Sequence, residues 1–281
     1  MIFRAARCKA ETSRAETFRA ELSAAQWAPL TGKLALALPE PGRESWESGN
    51  QSKGESLSAL FDPTRCAALL DELGPRIGSP SRTITASMLG KRHSFLATGA
   101  SLYAMSVYNR AFDLSPENTC VDVTHDGKLW RSHLRLRTLH TCAAPDDANA
   151  RHAWRDTVIA QLFAQHLAPL WSSFCAVSRL APRILWENMA VRVYSLYESR
   201  MPGDATPAQR ARIDADFAYL VSEAPGTLFG LDHNPLARYF HSLTPTVDDE
   251  DGTRFRKTCC LYYKLPSGEL CSTCPLLRKK G

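Results

Sequence analysis

TCCLYYKLPSGELCSTCPLL, residues 258–277, carries four cysteines, at positions 259, 260, 271 and 274, and its reading decides how the chain is built. Thiolates are ligands for zinc and for iron–sulfur clusters, and four of them around a Pro-Ser-Gly turn can surround a metal centre without help from the rest of the fold. The stretch therefore reads as a small module joined to a larger body. Zinc sites use two pairs, each with a few residues between its cysteines, and only Cys271 and Cys274 have that form. Cys259 and Cys260 are adjacent. In an extended segment adjacent side chains point to opposite faces, which suits ligands shared between two irons better than ligands wrapping one ion. Four thiolates also match the requirement of a [2Fe–2S] cluster. A disulfide between neighbours is strained, and the segment has no other mark of a secreted disulfide scaffold.

The CC-x10-C-xx-C spacing of Cys259, Cys260, Cys271 and Cys274 resembles the C-terminal signature of ferric-siderophore reductases of the FhuF type. Arg256 and Lys257 before the pair, the Leu265-Pro266 turn and Pro275 after the last cysteine are similar to the same module. A weaker resemblance runs over roughly residues 60–250, through Ala86 to Asn109 and through Leu185-Trp186-Glu187-Asn188. That part is similar to the family's larger domain, itself like the C-terminal part of aerobactin-type siderophore synthetases. The resemblance implies a [2Fe–2S] cofactor ligated by the four cysteines and one-electron reduction of siderophore-bound Fe3+ with release of Fe2+. Hydroxamate siderophores are favoured, and a separate protein such as a ferredoxin or flavin reductase would supply the electrons. The reading from another class is a non-enzymatic siderophore-binding or assembly protein with a structural four-cysteine zinc site.

The body is read from pattern. At 281 residues and 44% hydrophobic content the chain can bury one sizeable core plus an appendage, and no run approaches the 18 apolar residues of a membrane span. Asp62 as N-cap and Pro63 at the first position open a helix over 63–74, closed at Gly74. A longer helix is expected from about Thr85 to Phe112, nearly uncharged after Arg92 and so largely buried. Asp126-Gly127 between Cys120–Thr124 and Leu129–Arg137 predicts a hairpin with one wet face. Helical pattern returns over about 149–180, 182–200 after Pro182, and 206–223 with Thr206 as cap and Pro207 at its start. The expected class is α+β: a mostly helical body, a small antiparallel hairpin or sheet, and the cysteine module. The boundaries are a peripheral, partly disordered extension and polar linker over 1–58, the body over 59–252 and the module over 253–281.

Charge is uneven. From Thr253 onward seven basic residues face Glu269 alone, giving this segment +6 of a net +5 and leaving −1 elsewhere. Arg256, Lys257 and Lys264 are candidates to attract an acidic donor protein or an anionic chelate to the cysteines, the plainer reading being a solvated basic tail. Trp186 and Asn188, with Glu187, are candidate substrate contacts; a helix with a buried indole is the plainer account. His133 and His140 read as surface residues, and Cys8, Cys66, Cys120, Cys142 and Cys175 as isolated buried hydrophobes. The mixed charges of the first 21 residues, with no apolar run after them, argue against a secretory signal, and the free cysteines suit a cytoplasmic setting, with peripheral contact to an inner membrane left open. No phosphate loop, dinucleotide fingerprint, nucleophile elbow or HExxH is present, and no nucleic-acid module. A reductase built this way has no nicotinamide or flavin site of its own and adds no catalytic side chain to the cluster ligands.

Overall fold

The Ser81 hydroxyl accepts the amide of Ile84, and from Arg82 the chain runs as one helix to Tyr108. The computed structural model describes residues 22–37, 54–139, 141–246 and 249–277. This long helix is the axle of the fold, and from Ile84 to Val107 nearly every side chain is buried. Its small residues make that possible. Gly90, Ala97, Gly99 and Ala100 let neighbouring helices approach, while Ser94 and Thr98 return their hydroxyls to the carbonyls of Gly90 and Ser94, each at 2.7 Å. The helix ends at Asn109, φ 51°, so the expected continuation to Phe112 is replaced by a strand.

Numbered along the described chain, the helices are α1 Ala24–Thr31, α2 Pro63–Arg76, α3 Arg82–Tyr108, α4 Ala148–Ala160, α5 Ala168–Ser178, α6 Pro182–Ser199, α7 Pro207–Ala218 and α8 Pro235–Tyr239. Gly74 lies inside α2 rather than at its end. A π-type segment over Gln161–Leu167 joins α4 to α5 without a break, and another over Tyr219–Glu223 extends α7. The Thr206 capping box is present, with Gln209 as the reciprocal partner. Buried Asp216 on α7 accepts both terminal nitrogens of Arg151 on α4, at 2.9 and 2.7 Å, and the Ser106 hydroxyl of α3 at 3.0 Å. Three helices are thus locked through one carboxylate.

The strands are β1 Gly54–Ser56, β2 Arg110–Phe112, β3 Thr119–Asp122, β4 Leu134–Leu136, β5 Thr141–Ala143, β6 Thr244–Thr246 and β7 Asp249–Thr253. They form three small antiparallel sheets, ordered β1-β3-β4, β2-β5 and β6-β7. The predicted hairpin is β3–β4, with Cys120 opposite Arg135. Its strands are shorter than expected because the Asp122 carboxylate turns inward to accept the His133 amide at 3.0 Å and Arg135 Nε at 2.7 Å. Leu134 and Leu136 face the core while Arg137 is exposed, the anticipated wet and dry faces. The protein is α+β, with no helix among the described residues long and apolar enough to cross a membrane.

The expectation that everything before residue 59 is peripheral fails over 22–36. Trp27, Leu30, Leu34 and Leu36 enter the main core, and Leu36 bridges to Leu134 at the sheet edge. Cys142 is exposed, against its expected burial; Cys66 and Cys120 are buried, Cys175 is half-buried, and Cys8 and His140 lie outside the described residues.

Candidate metal centre

The module folds back on itself before it docks. The Arg256 amide donates to the Thr273 carbonyl at 2.8 Å, joining its two ends, and Gly268 closes the turn by donating to Leu265 O at 2.9 Å. A Cβ at Gly268 would lie 1.9 Å from the Tyr262 carbonyl oxygen, so only glycine fits there. Leu261, at φ 66°, reverses the chain just after the vicinal pair and points its amide at Cys259 Sγ, 3.3 Å away.

Each of the vicinal thiols meets a different partner. Cys271 donates its thiol proton to Cys260, and Cys259 is hydrogen-bonded to Cys274. The arrangement is two pairs side by side. Cys260 is pulled down to about 5 by the Cys271 hydrogen bond, with help from the charges of Lys91 and Arg256 against the cost of burial. Cys271, which gives up the hydrogen bond, is held above the ordinary thiol range, and burial raises Cys259.

Two helices of the body receive this unit. From α3, the Ser87 hydroxyl donates to the Cys260 carbonyl at 2.7 Å, and Lys91 Nζ lies 3.8 Å from Cys260 Sγ and over the Tyr262 ring. From α6, the buried Glu187 carboxylate accepts the amides of Lys257 and Thr258, each at 2.6 Å, and the Thr258 hydroxyl. Asn188 accepts from Arg256 Nη2 at 2.5 Å and donates to Ser87. Pro266 rests 3.2 Å from where a Gly78 Cβ would be, at a residue with φ +66°.

These contacts redistribute the residues singled out in the sequence. Arg256 is buried, 5% exposed, and paired with Asn188 and Glu187, so it is an internal strut and not a surface charge. Trp186 and Asn188 are also interior, the first in the core and the second in the docking network. Lys257 and Lys264 remain exposed. Sequence reasoning missed Ser87 and Lys91. Their only signal was polar side chains on a helix otherwise destined for burial, next to the last charges before its neutral half.

The helical body thus carries a docked four-cysteine module with a lysine beside Cys260. A family profile described as "Ferric iron reductase FhuF-like transporter" matches residues 87–245, and one described as "FhuF 2Fe-2S C-terminal domain" matches residues 256–276. The chain belongs to this FhuF-like family. It is similar to the ferric siderophore reductase of Escherichia coli (strain K12), 25% identical over 180 residues, which cover 62% of this chain and 59% of that relative. Its cofactor is a [2Fe–2S] cluster. The residues fit such a group: thiol donors in two pairs, one already depressed toward thiolate, with fixed positive charge beside them.

Proposed function

We propose that the protein is a cytoplasmic ferric-siderophore reductase in which Cys259, Cys260, Cys271 and Cys274 hold the [2Fe–2S] cluster. Bound there, the cluster supplies single electrons, the number needed to turn one siderophore-bound Fe3+ into Fe2+. Siderophores hold ferric iron with hard oxygen donors, and lowering the charge on the metal weakens that hold, so iron leaves as Fe2+. The protein's own residues place and charge the centre. Glu187, Asn188 and Ser87 fix the module against α3 and α6, and Lys91 and Arg256 offset negative charge at the sulfurs. No side chain is required as acid or base. Exposed Lys257 and Lys264 offer an acidic donor protein, of ferredoxin or flavin-reductase type, a place to approach. The resemblance favours hydroxamate chelates; the electrostatics of the body point elsewhere.

The observation that carries this reading is the pairing of Cys260 with Cys271 and Cys259 with Cys274 beneath Lys91. Protein purified without oxygen is expected to be brown, to hold two irons per chain and to show an electron-spin signal on reduction. Mixed with a ferric siderophore and an Fe2+ trap, the reduced protein should reoxidise as trapped Fe2+ forms. A colourless protein loaded with zinc would remove the reductase reading and leave a structural zinc site.

A further inference from the structure

The face of α3 and α6 beside the module carries more positive charge than the cysteines need. Lys91 and Arg92 lie on α3, Arg192 lies on α6, and Arg200 follows directly at the C-terminal end of α6. Among the described residues none of the four has a carboxylate within ion-pair distance. Buried Arg192 Nε has no hydrogen-bond partner there, a costly state for a guanidinium unless something else supplies an acceptor. Phe95 sits between two cations, with the Arg92 and Arg200 guanidiniums each 5.2 Å from its ring centre. Arg192, Arg200, Phe95 and Ser195 line a narrow hollow of about 10 Å³, room for about one water. Arg200 also borders a cleft of about 620 Å³ with Lys33, Tyr103 and Met201, a size suited to a small organic ligand, where two cations stand against the one carboxylate of Asp204.

Charge balance at the cysteines does not account for this set. Lys91 touches Cys260, and Arg192 is one turn of α6 past Asn188, about 6 Å along the axis, so these two sit by the module. Arg200 is about 18 Å along the axis from Asn188, too far to serve the thiolates. We propose that the cleft at Arg200 seats a ferric chelate of net negative charge, its iron-bearing head at the Arg200 rim on the side of Arg192 and the module. The proposal rests on the reductase reading and names its substrate class. One electron from the reduced centre converts a trianionic ferric chelate into a tetraanionic ferrous one, with no proton moved and no covalent bond made. Fixed cations favour the more negative product.

The test uses cluster-loaded protein and redox-silent probes, the gallium(III) tris-catecholate trianion and a neutral gallium(III) tris-hydroxamate, with binding followed by calorimetry across ionic strength. The trianion is expected to bind at least about tenfold more tightly at low salt and to lose that advantage as salt rises. Arg200→Glu should weaken trianion binding about tenfold or more, with Arg192→Gln acting in the same direction, while neutral-chelate binding and the visible spectrum of the Arg200 variant stay unchanged. Equal binding of the two probes, or Arg200→Glu binding the trianion as wild type does, overturns the proposal. So does a result in which Arg200→Glu slows only reduction by an acidic donor protein, which would make the cleft a donor dock. If ferric hydroxamate reoxidises the reduced protein while the trianion fails to bind, the seat falls and the reductase stands. If the trianion binds but no ferric chelate reoxidises the protein, the seat stands and the reductase falls.

Discussion

Glu187 joins the body to the metal module through three hydrogen bonds at one buried carboxylate, with Arg256 Nε 4.0 Å away. Glu187→Ala would leave two part-buried backbone amides without their acceptor and the buried Arg256 without a carboxylate nearby, at a cost of about 3–5 kcal/mol to docking. Expected outcomes are faster proteolysis in the module and loss of iron per chain, with the helical circular dichroism of the body retained. Cys259→Ser and Cys260→Ser should lose the cluster with the body equally intact; normal iron loading in both would refute their assignment as ligands. A second buried pair belongs to the body: His93 Nε2 and His166 Nε2 are 2.7 Å apart, and His166 Nδ1 faces the Leu114 carbonyl at 3.1 Å. A neutral pair satisfies these contacts, whereas protonation would set N–H against N–H. Burial lowers His166 to about 4 and holds His93 well below its ordinary value, with His166 adding to the second effect. The unfolded chain, with His near 6.5, then binds more protons than the folded one as pH falls. Stability should decline from about pH 6.5 down to about 4, by on the order of 3 kcal/mol from His166. Thermal unfolding of wild type against His93→Gln/His166→Gln checks this, the double variant giving a flatter profile.

At the scale of elements, glycine marks where segments meet most closely. A Cβ on Gly90 of α3 would come 2.3 Å from Leu185 Cδ2 of α6, while one on Gly99 would meet Leu34 Cδ2 at 3.3 Å. Gly90→Ala should therefore destabilise by about 1–3 kcal/mol through separation of the two helices that receive the module. Gly99→Ala should be near neutral, the helix-propensity gain of about 1 kcal/mol offsetting the tighter contact. Denaturant unfolding separates the two, and equal midpoints would sink the claim. Helices were legible where a proline announced their start, with a capping side chain before it at Asp62-Pro63 and Thr206-Pro207 and without one at Pro182, because those signals are local. The end of α3 was not. Asn109 stops the helix by adopting a left-handed conformation, and the pairing of Arg110–Phe112 with Thr141–Ala143 is a contact between distant residues that no local pattern announces.

At the scale of the molecule, the module and the body are one construction. The four cysteines could be proposed as ligands from their number, spacing and family resemblance, but their charge environment could not. Lys91, Ser87 and Glu187 lie 70 or more positions away in sequence and reach Cys260, Lys257 and Thr258 only after α3 and α6 pair. The same distance hid the role of residues 22–36, whose short apolar run beside a polar stretch resembles surface loop until Trp27, Leu30, Leu34 and Leu36 are seen in the core. Each such side chain contributes about 1.5–3 kcal/mol when fully buried, so the four together rival the 5–15 kcal/mol of an entire domain. A chain starting at residue 59 is expected to be insoluble or to melt far below the full chain, as scanning calorimetry would show. An unchanged melting temperature would make the segment dispensable.

The order of these pieces along the polypeptide has a consequence for biogenesis. The partners of the module stand at positions 78, 87, 91, 187 and 188, so the ribosome releases the whole receiving face before it emits the first of these four cysteines. Domains that fold during translation do so from the N-terminal side. The thiols are therefore born next to a finished landing site that already offers a lysine and a carboxylate. Delivery of iron and sulfide becomes the closing act of maturation, and a lesion in the helical pair would surface first as failed cofactor loading, well before the body itself lost its shape.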